Sequence, residues 1–187
     1  MNEAEVIKGC LRNDRASQKA LYEFFYGKMM GVCLRYSKSS DEAKDVLHEG
    51  FMKVFTSLKN FSNKGSFEGW VRKIMVHTSI DHIRKNRQEY LIVNTVYAND
   101  RSKNLREEQE VTDDDILNRI SKEEIMKAVE QLTPAYRAVF NLYVVDEYTH
   151  KEISEMLDIS EGTSKSNLAK AKFNLRKNLT HLLKPVS

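Results

Sequence analysis

Between residues 162 and 187 the sequence has no acidic residue, while Lys165, Lys170, Lys172, Arg176, Lys177 and Lys184 are basic. Thr163, Ser166 and Asn167 are interleaved with them. On a helix, the N-terminal part of this segment suits the major groove of duplex DNA, which admits an α-helix and offers hydrogen-bonding base edges. Lys165 and Lys170 match acceptors on guanine or phosphate oxygens, and Asn167 matches an adenine edge. Lys172, Arg176 and Lys177 lie further along and suit phosphate, which gives affinity without sequence information. A basic solvated helix of an all-α domain would have the same composition, so the segment needs its surroundings to be read.

Other chemistries find no foothold. The five histidines are scattered, and no HExxH, P-loop or G-x-S-x-G signature occurs. Cys10 and Cys33 fall at helix-periodic positions among apolar neighbours, away from any CxxC or Cys/His cluster, and read as core residues. No catalytic residue, metal ligand or cofactor site is expected.

The elements that must position the basic segment are helical. Seven Gly and two Pro in 187 residues, with 41% hydrophobic and 30% charged residues, leave little turn chemistry for a β-sandwich. Residues 150–179 have the layout of a helix-turn-helix: Ile153 and Leu157 inward, a turn at Asp158, Ile159 and Ser160, then Leu168 and Leu175 inward, with Ser160 placed to cap the second helix. Before it, Ile125, Val129 and Leu132 share a face, and Thr133-Pro134 breaks one helix and starts the next.

In the first half, Ala43, Val46, Leu47, Gly50, Phe51, Val54, Phe55 and Leu58 mark one face of a helix capped by Ser40 or Asp41. Leu21, Phe24, Phe25, Met29, Val32, Cys33 and Tyr36 predict a second helix against it, with a short one near residues 6–11. Another, carrying Phe67, Trp70, Val71, Ile74, Thr78 and Asp81, runs to about Asn86. Between about residues 88 and 115 the periodicity fades; Tyr90 and Tyr97 bound a β-prone stretch, and Glu107, Glu108, Glu110, Asp113, Asp114 and Asp115 follow without a base. The expectation is all-α: two small helical domains, 1–88 and 116–187, joined by a flexible linker, 89–115, with the helix-turn-helix in the second and Pro185 ending its last helix. The first residues lack an apolar core for a signal peptide and no stretch approaches a membrane span, so a cytoplasmic protein without membrane insertion is expected.

Three runs carry a family resemblance: 132–140 (LTPAYRAVF), 148–163 (YTHKEISEMLDISEGT) and 170–172 (KAK). They resemble the DNA-binding domain of the extracytoplasmic-function sigma factors. The run 41–51 (DEAKDVLHEGF) resembles that family's polymerase-binding helix, and Phe67, Trp70, Val71, Ile74, Asp81, Ile83, Arg84 and Arg87 resemble its promoter-melting helix. The two matches come in the family's order, separated by a linker of suitable length.

The resemblance implies a sigma factor that binds core RNA polymerase and directs promoter-specific initiation, the C-terminal domain reading minus 35 duplex and the N-terminal domain melted minus 10 DNA. It implies docking of Asp45, His48, Glu49 and Lys53 on a coiled coil of the polymerase's largest catalytic subunit, and contact of the second domain with the flap region. It assigns Thr163, Lys165, Ser166, Asn167, Lys170, Lys172 and Arg176 to minus 35 DNA. Phe61, Lys64, Arg72, Lys73, His77, Asp81, Arg84 and Arg87 go to the minus 10 element, with Lys85 adding charge. A flipped base needs a pocket and stacking surface; Phe61 and Trp70 could supply it, although the helix-face spacing of Trp70 favours a core place for it. Many relatives are held by an anti-sigma protein. Three positions depart from the family: His77 where Asn is usual, Asp158 where the turn Gly is usual, and Ser164 where an apolar residue is usual. Asp tolerates left-handed backbone, so the turn should survive. The competing reading is a stand-alone helix-turn-helix regulator.

Overall fold

The computed structural model describes residues 2–62, 64–85 and 120–183. The chain divides into two compact units, Met1–Lys85 and Asn86–Ser187. The expectations for Arg87, the linker at 89–115 with its β-prone and acidic stretches, the helix start at 116, Lys184 and Pro185 lie outside the described residues. Among those described, every regular element is helical, and no helix is long and apolar enough to cross a membrane.

The first unit contains α1 (Glu3–Leu11), α2 (Arg15–Tyr36), α3 (Ser40–Ser57) with a 3₁₀ turn at Leu58–Asn60, and α4 (Phe67–Lys85). Short polar side chains start α2, α3 and α4 by accepting otherwise unsatisfied N–H groups. Asp14 accepts from the Ser17 amide at 2.8 Å and from its hydroxyl at 2.6 Å. Ser66 accepts from the Gly69 amide at 3.0 Å. For α3 the cap is Ser39, accepting from the Glu42 amide at 3.2 Å, rather than the expected Ser40 or Asp41. The Glu42 carboxylate turns back to accept from the Lys38 amide, which draws the helix entry one residue earlier.

Leu21, Phe25 and Met29 of α2, Val46, Phe51 and Val54 of α3, and Phe67, Val71 and Met75 of α4 are at most 2% exposed and form the core between these three helices. Each such side chain contributes about 1.5–3 kcal/mol of transfer free energy. Both cysteines are free and buried, as expected. Phe24 departs from the expected face: it is 50% exposed and meets the core ring of Phe25 edge-on, at 4.9 Å between centroids. Gly50 lets α3 and α4 approach, since a Cβ there would lie 2.3 Å from the Met75 sulfur.

The second unit contains α5 (Lys122–Glu130), α6 (Pro134–Phe140), a π-helical turn (Asn141–Val145), α7 (His150–Leu157) and α8 (Glu161–Leu183). Pro134 is the first residue of α6, where its missing N–H and fixed φ cost nothing. Ile120, Ala128, Val129, Leu132, Ala171, Leu175 and Leu179 form one buried cluster, with Ile125, Tyr136 and Phe140 packed on it. The second half of α8 is therefore anchored in a core, and its first half is presented by α7.

Candidate nucleic-acid interface

In the first unit α3 and α4 border an open cleft of about 490 Å³, lined by Lys53, Ser57, Trp70, Lys73, Ile74, His77, Thr78 and Asp81. Trp70, Lys73, His77, Asp81 and Arg84 recur at three- and four-residue spacing, so α4 turns them to one side. Trp70 is half-buried. Its ring stacks on buried Phe67 at 5.7 Å and 24°, and meets Phe61 at 5.5 Å. Trp70 thus packs on the core, as its spacing indicates, and also lines the cleft. Half-buried Phe61 closes the aromatic group, 5.1 Å from Phe67. Lys64, Lys73, His77, Arg84 and Lys85 are exposed. Arg72 is not brought to this group: five residues before His77, it is turned about 140° away around α4.

Lys53 ties the cleft together. Its ammonium lies 3.0 Å from Glu49 and 3.2 Å from Asp81, and Lys85 reaches Glu49 at 3.9 Å. Burial pulls the Lys53 ammonium down, but its bonds to Glu49 and Asp81 outweigh that and hold it above the ordinary lysine value. The hydrogen bond from Lys53 holds the Glu49 carboxyl below its ordinary value against the opposing effect of burial.

The four residues read from the sequence as one docking face are consequently split. Asp45 and His48 are exposed on the outward side of α3, and Met52, 53% exposed, follows one turn after His48. Glu49 and Lys53 instead face α4. Opposite charges within reach of one another account for the division, and helix periodicity alone could not reveal a partner 28 residues away.

The second unit carries the helix-turn-helix. Thr149 and Glu152 form a reciprocal capping box at the start of α7. Asp158 ends α7 with φ 54° and ψ 54°, in the left-handed conformation expected of it. Ser160 caps α8, accepting from the Thr163 amide at 3.0 Å, as expected. Ser164 is fully buried, and its hydroxyl lies 2.9 Å from His150 Nδ1. Here a polar side chain occupies a core position because a partner on α7 satisfies it. His150 in turn stacks on Tyr143, 4.5 Å between centroids and 24° between planes.

At about 100° per residue, Thr163, Ser166, Lys170 and Lys177 occupy one stripe of α8, opposite buried Leu168, Ala171 and Leu175. Lys165, Lys172 and Arg176 form a second stripe on its flank, and half-buried Asn167 lies on the other flank. The sequence reading did not anticipate two residues here. Phe173, 47% exposed, stands in the outward basic stripe. His150 carries no periodic signal; only a buried serine on the facing helix marks it. Among the described residues no group of three or more His, Cys, Asp or Glu is arranged to hold a metal ion.

Comparison with known proteins matches the two units separately. Residues 21–89 match the family described as Sigma-70 region 2, and residues 122–174 match Sigma-70, region 4. The ECF RNA polymerase sigma factor SigW of Bacillus subtilis (strain 168) is 27% identical over 182 residues, covering 94% of this chain and 96% of the relative. The RNA polymerase sigma factor YlaC of the same organism is 26% identical over 170 residues, covering 89% and 94%. Among solved structures, the sigma factor RpoE from Bartonella quintana, in complex with the anti-sigma factor NepR, shares the fold with a TM-score of 0.50 at 17% identity, covering 87% of this chain and 96% of that one.

Proposed function

We propose how this chain, which belongs to the sigma-70 family as an RNA polymerase sigma factor of the extracytoplasmic-function type, divides its work between its two helical units. The observation that carries the reading is the ordered pair of matches, region 2 at 21–89 and region 4 at 122–174, within one chain. The first domain, 1–88, binds core polymerase and opens the minus 10 element; the second, 116–187, reads minus 35 duplex; residues 89–115 link them. Polymerisation belongs to the partner, and this chain is not itself an enzyme. It works where the polymerase does, in the cytoplasm, and an anti-sigma protein is a further expected partner.

On α3, Asp45 and His48 meet the coiled coil of the largest polymerase subunit, supported by exposed Met52. Glu49 and Lys53 act from the other side, holding the α3–α4 cleft. That cleft receives DNA: Trp70 and Phe61 offer stacking surface, Lys73 and Arg84 attract phosphate, and His77 meets a base edge. Lys64, Asp81 and Arg87 border it, while Arg72 holds backbone elsewhere. On α8, Thr163, Ser166 and Lys170 face base edges, and Lys165, Lys172 and Arg176 hold one phosphate strand, with Asn167 at the margin. The second unit also meets the flap region.

Run-off transcription with purified bacterial core polymerase on a genomic fragment library tests this. Transcript starts that depend on the protein and share two spaced upstream motifs are expected. The stand-alone regulator reading leaves the region 2 match unexplained; it would prevail only if no start depended on the protein while the protein alone bound duplex tightly.

A further inference from the structure

We propose that His150 is a positioning residue for promoter reading: it makes no base contact, but through Ser164 it fixes the rotation and axial placement of α8. The inference rests on α8 being the minus 35 reader.

Ser164 stands between Thr163 and Lys165 in the turn of α8 that faces DNA, and it is fully buried. A hydroxyl buried there needs a hydrogen-bond partner, and His150 Nδ1 supplies one at 2.9 Å. His150 is the first residue of α7, whose start is fixed by the Thr149–Glu152 capping box. Its ring is oriented by stacking on Tyr143 at 4.5 Å. An apolar contact at position 164 would let one helix slide on the other at little cost. A hydrogen bond does not: it is lost beyond about 3.5 Å and weakens steeply off-axis. Thr163 and Ser166 flank the anchored residue and inherit its placement. A displacement of about 1 Å would take their hydroxyls out of bonding range of a base edge.

The test uses the full chain with core polymerase on a promoter library randomised across the upstream duplex element, scored by transcript yield. His150→Phe keeps ring stacking and removes the bond; Ser164→Val removes it from the other side; His150→Asn retains an amide near the position of Nδ1. Helix content by circular dichroism identifies any variant that does not fold, and His150→Phe, altered at a half-exposed site, carries the test if Ser164→Val fails. Wild type is expected to rank upstream sequences. His150→Phe and Ser164→Val should reorder that ranking, with discrimination between the best sequence and its single-base variants falling at least about fivefold, the weight of one hydrogen bond. His150→Asn should retain the wild-type order. Uniformly lower yield with an unchanged ranking in His150→Phe would reduce the contact to a structural one and overturn the proposal, as would His150→Asn behaving like His150→Phe. A wild-type chain that shows no upstream preference would overturn the minus 35 reading itself, and this inference with it.

Discussion

Lys53 Nζ lies 3.2 Å from Asp81 Oδ2, joining α3 to α4 across the cleft that Trp70 and His77 line. Both side chains are more than a third exposed, at 40% and 48%, so the pair contributes at most about 1 kcal/mol to stability. Its larger effect is to hold a cation at the mouth of the cleft. Lys53→Met is predicted to shift the melting temperature by only a few degrees while reducing promoter opening at least about tenfold, the loss of a charge-assisted contact. Permanganate reactivity of the minus 10 strand checks this; normal opening in the variant would remove Lys53 from the DNA site.

The two stripes of α8 predict two kinds of loss. Lys172→Ala should weaken binding to all duplexes alike and reduce the salt slope by about one counterion. Lys170→Ala should also narrow the gap between preferred and altered upstream sequences, by about 1–3 kcal/mol for a base-edge contact. Holoenzyme anisotropy titrations at several salt concentrations separate them. Identical behaviour of the two variants would mean that the stripes do not divide the labour.

Much of this arrangement was legible because it follows from local rules. The positions of Ile153, Leu168 and Leu175 gave the helix-turn-helix its inward face, and Pro134 and Ser160 marked helix starts by chemistry that acts within four residues. The left-handed Asp158 was readable for the same reason. Contacts between distant residues were not. Glu49 and Lys53 share a polar face with Asp45 and His48, and only the opposite charge on α4 draws them away. Phe24 fits the apolar spacing of α2 but falls on its flank, where it stays half exposed. Ser164 looked like a departure from pattern because its partner lies 14 residues earlier, in a histidine with no signal of its own.

Asp158 predicts a pair of opposite stability changes. A residue with a β-carbon strains left-handed backbone, and Asp bears this better than Ala. Asp158→Ala should destabilise the second unit by about 1 kcal/mol, and Asp158→Gly should stabilise it by a similar amount. Thermal unfolding followed by circular dichroism would show the two shifts; a stabilising Ala would contradict the observed φ of 54°.

Cys33 gives a pH prediction. Burial pushes its thiol up from 9.0 to about 12, against a hydrogen bond from Ser79 that favours the thiolate. The unfolded chain therefore loses this proton first as pH rises. The contribution to stability is complete below about pH 9 and is lost as pH climbs from there towards 12. Trp70 is the only tryptophan and reports on this unit. Urea midpoints followed by its fluorescence should fall between pH 9 and 11, and the fall should be smaller in Cys33→Ala. In the native protein at neutral pH both thiols should resist a disulfide reagent until the unit unfolds; prompt reaction would mean that the first unit opens locally around Cys33.

Asp45 is the sharpest test of the docking face. It is exposed on α3, away from the buried face of the helix. Glu49, by contrast, is bonded to Lys53 at 3.0 Å, so changing it would disturb the cleft as well as the surface. Asp45→Arg reverses a charge where no packing depends on it, and surface changes of this kind cost within about 0.5 kcal/mol. The variant should fold and keep its Trp70 fluorescence, yet lose association with core polymerase by at least about a hundredfold, as a like-charge juxtaposition at an interface costs several kcal/mol. Met52→Ala should weaken association less, by the loss of apolar area alone. Co-elution with core polymerase checks both. Unchanged co-elution of Asp45→Arg would move the docking face off this side of α3, and with it the division between a polymerase-facing and a DNA-facing side of one helix.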